Sequence, residues 1–460
     1  MAPGTDEVEE PRAHTAGVPD PGLGSVAITL PDAEASAPAS EADAMEAVEL
    51  APEVLANSLG EYVGAWWKRI RGGESGALPI LIGLLVIIVV FQIGNSHFLT
   101  AGNIVNLLVE ATFFCLLGAA ELFALLLGEI DLSVGYIAAV GGTIIAALVA
   151  PPYNWPWWAC VIVGLIASAI IGALQGTLIT RLHLPSFVVT LGGLLFWSGF
   201  LIYIFDIDKN SVGGVLTIIN PVLYNLVNGN MTPLAGWITL VVLVGLFAVF
   251  SISRAARRRS RGLSAPPLSI TVMTIVVAAV AGAALVAICN INRGVLDVAL
   301  QGVPWVVPFV IAIIVAWSWL LGRTRLGRYI YAIGASPEAA RRAGINVAWI
   351  RTFAFTLVGL TAGFAGLVYE SRLGSISVGF DGGTYVLYAV AAAVIGGTSL
   401  MGGRGKAIHP LIGGLVLAVV ANGLDLLNIT TAGQDMATAL VLLIAVTIDS
   451  VVRRRGVVGG

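Results

Sequence analysis

The chain has 460 residues, of which 57% are apolar and only 11% are charged, and its mean hydropathy is +0.92. A soluble globular domain carries about a quarter charged residues, so this composition excludes one. The net charge of −3 hides an uneven distribution, since residues 1–74 hold 14 acidic and four basic groups while residues 75–460 hold 13 and 20.

The N-terminal segment at 1–60 is acidic, rich in alanine and proline and nearly devoid of aromatic residues. Such a composition cannot bury enough apolar surface to fold, so we predict a disordered tail. It also lacks the basic start and short apolar core of a signal peptide. The next segment, 61–76, contains Trp66, Trp67 and Lys68, a combination of aromatic and basic residues that predicts an anchor at the membrane interface.

From residue 77 onward the apolar residues fall into runs of roughly twenty, the length that crosses about 30 Å of hydrocarbon. The twelve runs lie at about 77–93, 103–127, 134–150, 157–178, 185–205, 234–252, 268–288, 303–321, 350–369, 384–396, 408–424 and 436–449. The tenth run is short and glycine-rich, and Gly128–Gly135 interrupts the boundary between the second and third, so ten or eleven full spans stay open. We predict an all-α polytopic membrane protein of about 12 transmembrane helices, with its membrane domain at 77–455.

Basic residues predict the orientation, because cytoplasmic loops carry an excess of Lys and Arg. If the N terminus is cytoplasmic, 20 of the 23 Lys and Arg residues that follow the tail fall in inward loops. Lys209, Arg293 and Arg372 fall in outward ones. A wrong number of spans would invert every later loop, so this sorting predicts both termini in the cytoplasm.

The largest basic cluster lies in a predicted linker at 253–267, just inside the sixth span, and contains five arginines. Arginines at this depth attract anionic lipid at about 1 kcal/mol each. They serve equally well as a topological anchor alone. The sequence leaves both interpretations open.

Two carboxylates and a serine, Glu129, Asp131 and Ser133, follow the second run. Ionisable groups among apolar spans are costly and usually face protein, water or a partner. Asp131 and Ser133 also suit the cap of a helix that begins near Val134. We therefore expect either capping and packing or direct contact with a substrate or partner. Acid–base catalysis is not expected, because no nucleophile, histidine or metal-ligand set accompanies them.

Residues 334–347 form a short charged segment between two long apolar runs, on the cytoplasmic side. Ser336 suits an N-cap, Pro337 the first helical position and Gly344 a left-handed C-cap, which predicts about two turns of helix outside the membrane. Such a helix either fits a groove on a soluble partner or rests on lipid headgroups. The residues assigned to this predicted contact are Gly334, Ser336, Pro337, Glu338, Ala339, Ala340 and Gly344.

The glycine-rich segment at 396–406 ends in Gly405-Lys406 and superficially resembles a phosphate-binding loop. Leu400 stands where such a loop requires glycine, and Ala407 replaces the Ser or Thr that would hold Mg²⁺. We therefore predict no nucleotide site. Glycines here favour an unwound or re-entrant turn and close helix packing.

Further polar or aromatic residues in the spans are candidates for a translocation pathway. Passage of a polar solute needs hydrogen-bonding groups and apolar faces without tight binding. The candidates of this kind, any of which packing alone would also explain, are Phe187, Thr190, Asn422 and Asp425.

Five motifs occur in order along the chain. They are EIDLSVG (129–135), LPSFVVTLGG (184–193), GRYIYAIGASPEAARRAGINV (327–347), SRLG (371–374) and VIGGTSLMGGRGK (394–406). Together they closely resemble the sugar permeases of bacterial ABC importers, the ribose, xylose and arabinose group, over roughly 75–455. The arginine-rich linker is most similar to the D-xylose type. The long acidic tail and the basic MGGRGK sequence depart from the family pattern.

This resemblance implies a permease of the bacterial cytoplasmic membrane that works with a second copy of itself, a separate ABC ATPase and an extracytoplasmic sugar-binding protein. It implies neither a cofactor nor a nucleic-acid partner, and no catalysis by this chain. The segment at 334–344 becomes the coupling helix that docks on the ATPase. The expected substrate is a monosaccharide, D-xylose first, with ribose, arabinose, galactose or another sugar as alternatives.

Two other classes keep the helical fold but change the function. A secondary sugar transporter would need no ATPase, and a proton-coupled one should contain buried charge pairs within its spans. Glu110 and Glu121 show no obvious basic partner in the sequence, which argues against this class. A membrane-embedded enzyme would need clustered His, Asp or Cys ligands, which the sequence lacks.

Overall fold

A computed structural model describes residues 78–208, 210–218, 220–262, 267–294 and 299–440, together with 443 and 447. The predicted tail at 1–60, the predicted anchor at 61–76 and half of the predicted twelfth span at 436–449 lie outside the described residues.

The described chain is almost entirely helical. The helices are α1 (Leu78–Gly94), α2 (Ala101–Leu126), α3 (Val134–Val149), α4 (Trp157–Arg181), α5 (Ser186–Ile207), α6 (Pro221–Asn228), α7 (Pro233–Ser260), α8 (Leu268–Cys289), α9 (Val306–Arg323), α10 (Arg325–Ala335), α11 (Pro337–Arg342), α12 (Val347–Leu373), α13 (Gly382–Ile395) and α14 (His409–Leu426). Two strands, β1 (Val215–Thr217) and β2 (Ser375–Ser377), pair antiparallel with Leu216 opposite Ile376. Residues 431–440 are also helical.

Within the described ranges, eight helices are long and apolar enough to cross a membrane, namely α2, α4, α5, α7, α8, α9, α12 and α14. Three shorter apolar helices, α1, α3 and α13, accompany them. These eleven coincide with the first eleven predicted runs, and the glycine-rich tenth run forms the 14-residue α13. The helical multi-pass fold is confirmed, while the total of twelve spans and the side on which the termini lie stay predictions.

Helix α2 forms the centre of the packing. Of its most apolar 18-residue window 83% is buried, against 6% for α7 and 11% for α8. Helices α12, α13 and α14 all pack against α2, and α12 packs also against α3 and α4. A helix that is apolar all round must be enclosed by protein or by lipid, so α2 is the protein-enclosed core and α7 and α8 present their apolar side chains outward.

Small residues allow the central helices to approach closely. A Cβ at Gly366 of α12 would overlap the Ala138 carbonyl oxygen of α3, and one at Gly359 would overlap the Ser168 carbonyl oxygen of α4. In lipid, where no hydrophobic force drives helices together, such backbone contact supplies much of the attraction. At these positions the backbone of α12 therefore packs directly against the backbones of α3 and α4.

The first part of the predicted linker at 253–267, residues 253–260, is helical rather than a loop. α7 continues through the arginine cluster and ends at Ser260. Alanine and arginine are strong helix formers, and basic residues in the last turn interact favourably with the helix dipole, so the helix extends beyond its apolar portion. Residues 263–266 of the linker lie outside the described residues.

Candidate functional site

The short helix α11 has the local signals that the sequence predicts. The Ser336 hydroxyl accepts a hydrogen bond from the Ala339 backbone amide at 3.3 Å, and Pro337 occupies the first turn. Gly344 follows with φ +80°, the left-handed conformation that favours glycine at a helix C terminus. The helix and both caps are as predicted, while its contact with a partner stays a prediction.

Most of the α11 surface is exposed. Within α11, Ala340 is the one buried side chain. Glu338 and Arg342 are exposed on the outer face with their charged atoms 3.9 Å apart. An exposed pair of this kind contributes about 0–1 kcal/mol to stability. The outer face of α11 is therefore a charged surface that the fold itself does not require.

Gly334, near the end of α10, lies directly against two other segments. A Cβ at Gly334 would overlap the Leu126 carbonyl oxygen at the end of α2 and would lie 2.5 Å from the Gly403 amide nitrogen. The Gly403 amide donates a hydrogen bond to the same Leu126 carbonyl at 2.9 Å. The end of α2, the base of α11 and the glycine-rich segment thus form one packed unit. We call this unit, residues 126–133, 325–347 and 396–406, the α11 platform; it includes α11 itself and the segments on which α11 packs.

The conformation of the glycine-rich segment suits packing against the end of α2 and against α10 rather than phosphate binding. Gly402 and Gly403 have φ +82° and +67°, and the Gly402 Cα approaches Gly128 after the end of α2. The Tyr331 hydroxyl of α10 donates a 2.7 Å hydrogen bond to the Gly405 carbonyl. The glycines are accordingly explained by left-handed turns and by close backbone contact.

A buried ion pair joins the platform to α12. Arg351 in the first turns of α12 binds the Glu129 carboxylate in the loop between α2 and α3, with side-chain exposures of 33% and 6%. Burial raises the pKa of Glu129 above its usual value, and the Arg351 guanidinium opposes this increase. Arg351 therefore favours the charged state of the Glu129 carboxylate.

Asp131 and Ser133 form a second buried group in the same loop. Asp131 accepts hydrogen bonds from the Ser133 backbone amide at 2.8 Å and from its hydroxyl at 2.6 Å. It binds the residue before α3 instead of amides within the first turn, so it does not cap α3 in the usual way. Burial raises the pKa of Asp131 to about 6, and the Ser133 hydrogen bonds oppose this increase.

Two further helices complete this network. The Gln175 amide of α4 donates to the Ser133 hydroxyl at 2.7 Å, and the Glu121 carboxylate of α2 accepts from the Asp131 backbone amide at 3.1 Å. Glu129, Asp131 and Ser133 therefore lie in protein, tying the platform loop to α2, α4 and α12. This arrangement favours the packing interpretation of the motif.

Thr190 and Phe187 of α5 take different environments. Thr190 is fully buried, and its hydroxyl donates to the Ser186 carbonyl at 2.9 Å within its own helix. Phe187 is 57% exposed. The Thr190 hydroxyl also lies 3.4 Å from the Ile130 carbonyl, which places Thr190 beside the loop that holds Asp131 and Ser133.

Asn422 and Asp425 lie at the other end of the bundle, near the end of α14. The Asn422 carbonyl oxygen accepts a 2.7 Å hydrogen bond from the Asn103 amide of α2, and Asp425 accepts one at 2.6 Å from Gln434. The predicted pathway residues are thus divided between two distant places and do not form one site.

Several residues in the α11 platform or bound to it were not singled out from the sequence. Arg351 and Gln175 lie in apolar helices, and Tyr331 precedes the coupling segment by a few residues. The available signal was the position of Arg351: it belongs to the basic residues assigned to inward loops, yet it falls just inside the predicted run at 350–369, where a charge demands a partner.

Comparisons with known proteins agree on one family. A family model described as "Branched-chain amino acid transport system / permease component" matches residues 103–447. The xylose transport system permease protein XylH of Escherichia coli (strain K12) is 32% identical over 378 residues, covering 82% of this chain and 92% of that protein. The ribose import permease protein RbsC of the same strain is 31% identical over 373 residues, covering 80% and 92%. No solved structure matches.

Proposed function

Because this chain belongs to the branched-chain amino acid transport system / permease component family, and within it to the ABC sugar permeases, we propose that it carries a pentose, D-xylose, into the cell. The chain is a multi-pass protein of the cytoplasmic membrane. XylH and RbsC match it almost equally well, over most of their lengths. Ribose is therefore the first alternative substrate, followed by arabinose, galactose and other monosaccharides.

The observation that carries the proposal is the exposed, capped helix α11 on a packed platform, within a chain whose family match covers 103–447. We assign α11 as the coupling helix, which enters a groove on a separate ABC ATPase. The exposed charges of Glu338, Arg341 and Arg342 supply contacts at its rim.

In the proposed cycle, two permease copies assemble with the ATPase, and an extracytoplasmic sugar-binding protein delivers the sugar. Twelve spans with both termini in the cytoplasm are part of this arrangement. ATP binding closes the ATPase and moves α11. Because Gly334 packs directly on the Leu126 carbonyl, the movement reaches α2, the buried centre of the bundle. The permease contributes no covalent chemistry and binds no cofactor in this cycle.

A secondary transporter is the competing class. The charge argument against it is weaker than the sequence indicated, because Glu110 does have a basic partner: Arg372, in the last turn of α12, lies 3.9 Å from its carboxylate. Family membership and the exposed helix α11 still favour an ATPase-driven importer.

The direct test is ATP hydrolysis in liposomes that contain this chain and its ATPase, with sugar-loaded binding proteins added. We expect stimulation by the binding protein loaded with D-xylose. Stimulation only with ribose or another sugar would keep the importer and replace the substrate. No stimulation by any loaded binding protein, with the ATPase assembled, would reject the importer in favour of the secondary transporter.

Reversing the charge at Glu338 should disrupt coupling. In Glu338→Lys, a cation replaces the anion in the first turn of α11, where the helix dipole favours negative charge, and the charge of the docking face is reversed. We expect sugar uptake to fall about tenfold, equivalent to about 1.4 kcal/mol of docking free energy. Gly344→Pro should have a similar effect, because proline cannot adopt φ +80°.

The matched control is Asp206→Lys, the same charge reversal on the exposed last turn of α5 at the opposite end of the bundle. It should insert and transport normally. Uptake at the wild-type rate in both Glu338→Lys and Gly344→Pro would remove α11 from the coupling pathway.

A further inference from the structure

A second polar site lies at the end of the bundle opposite α11. Glu110 of α2 and Arg372 of α12 are paired at 3.9 Å, with side-chain exposures of 13% and 28%. Charges at this depth in apolar helices face a water-filled space or the protein interior, because contact with lipid is too costly. The partial exposure of both groups means that one side of the pair is open.

Two residues of α14 stand beside this pair. Helix α14 packs along α2, and Asn422 and Asp425 are both close enough to the Glu110 carboxylate to influence it electrostatically. Asn422 is itself held by Asn103, and Asp425 by Gln434. Fixed donors and acceptors from three helices therefore converge on one region.

Aromatic rings border the same region. Tyr369, one turn before Arg372, lies 5.7 Å from Tyr385 of α13 between ring centroids. Tyr385 also contacts Phe113 at 5.0 Å and Phe380 at 4.9 Å. Phe113 and Tyr369 come from α2 and α12, which carry the charged pair, while Tyr385 lies in α13 and Phe380 just before it. Tyr385 meets Phe113 and Tyr369 edge to face and Phe380 at a tilt, and rings packed in this way form an apolar wall.

We propose that these residues, Glu110, Arg372, Asn422, Asp425, Tyr369 and Tyr385, form a sugar-contact site, which we call the polar–aromatic site. Carboxylates and amides exchange hydrogen bonds with sugar hydroxyls, while aromatic rings cover the apolar C–H face of a pyranose ring. The proposal rests on the function proposed above and adds the place at which the permease meets its substrate. This site also groups Asn422 and Asp425 with four residues that the sequence did not place beside them.

Cysteine labelling tests whether the site faces water and sugar. All three native cysteines are buried, so an introduced exposed cysteine is selectively reactive. In liposomes with the ATPase and ATP, Asp425→Cys should react with a membrane-impermeant charged thiol reagent. Addition of D-xylose-loaded binding protein should slow the reaction several-fold. Gln434→Cys serves as a second reporter beside it, and Val280→Cys, on the outward apolar face of α8, should stay unlabelled.

The outcomes separate this proposal from the function it rests on. If wild-type liposomes take up xylose but neither reporter reacts, or both react equally with and without sugar, the polar–aromatic site is rejected and the importer stands. If wild-type liposomes take up no sugar with any binding protein, the proposed function fails first.

Neutralising the charges of Glu110 and Arg372 tests the role of this pair in sugar recognition. Glu110→Gln and Arg372→Gln should each lower xylose uptake about tenfold, since hydrogen bonds to charged groups contribute strongly. They should also change the ratio of xylose to ribose uptake. The double variant should regain thermal stability, because no unpaired charge is left, without regaining uptake. An unchanged sugar ratio, or uptake restored in the double variant, would mean that the pair only supports the fold.

Discussion

Gly334→Ala should strongly impair coupling between sugar delivery and ATP hydrolysis. Its added methyl group would overlap the Leu126 carbonyl oxygen and press on the Gly403 amide, both of them backbone atoms that cannot rotate away. Overpacking of this kind costs about 1–3 kcal/mol, and here the strain separates α10 and α11 from the end of α2. We expect sugar uptake to fall at least about tenfold, since each 1.4 kcal/mol corresponds to a factor of ten.

Gly322→Ala is the matched control, because Gly322 is also helical and a Cβ there meets no atom within 4 Å. Replacing an exposed helical glycine by alanine normally adds stability, up to about 1 kcal/mol. The two identical substitutions should therefore act in opposite directions in thermal unfolding of the purified protein. Equal stability and equal uptake in both variants would show that the contact of Gly334 with Leu126 does not hold the platform.

Arg351→Gln should destabilise the protein by about 2 kcal/mol. It leaves the Glu129 carboxylate buried without its cation, and breaking a buried pair from one side costs about 3–5 kcal/mol. The loss of unfolding free energy expected here is smaller because the Arg351 side chain is one-third exposed, so water screens part of the interaction. The double variant Glu129→Gln and Arg351→Gln should recover much of the loss, since both charges are then absent.

The destabilisation in Arg351→Gln should depend on pH in a definite direction. Burial already raises the pKa of Glu129, and removal of Arg351 removes the main opposing influence. A carboxyl group with a raised pKa binds its proton more tightly when folded than when unfolded, so stability increases as pH falls through the folded-state pKa. The deficit relative to wild type should be largest in alkaline buffer and shrink in acid.

Thermal unfolding of the variant and of wild type, measured between about pH 5 and pH 8, gives this comparison. Because other groups titrate in both proteins, the difference between the two curves is the relevant quantity. The double variant lacks the Glu129 carboxyl and should show a difference independent of pH. A deficit in Arg351→Gln that grows as the pH falls would contradict the assignment of the effect to Glu129.

Local features of the fold were predictable because their causes are local. Ser336, Pro337 and Gly344 specify the start and end of α11 through caps that involve neighbours within a few residues. Eleven of the twelve predicted apolar runs coincide with helices, because each run must match the membrane thickness by itself. The start of the predicted linker, residues 253–260, is helical for a related reason, since helix propensity continues past the end of an apolar run.

Contacts between distant segments were not predictable. Glu129 meets Arg351 across 222 residues of sequence, and Glu110 meets Arg372 only because α12 packs along α2. Since membrane helices pack in many arrangements with similar hydropathy patterns, the sequence does not reveal which charge faces which. Gly334, too, was assigned to the coupling segment without any indication that its missing side chain admits the end of α2.

The amino-acid sequence by itself determined that this is a helical membrane protein, where its apolar helices run, and that a capped helix interrupts them near residue 340. Those properties depend on hydropathy and on caps a few residues long. Only the tertiary structure decided that α11 stands on the end of the central helix, that the carboxylates of EIDLSVG are bound within the protein, and that Glu110, Arg372 and Asp425 converge. Those relationships depend on close backbone approach between helices, which is set by packing across the whole bundle.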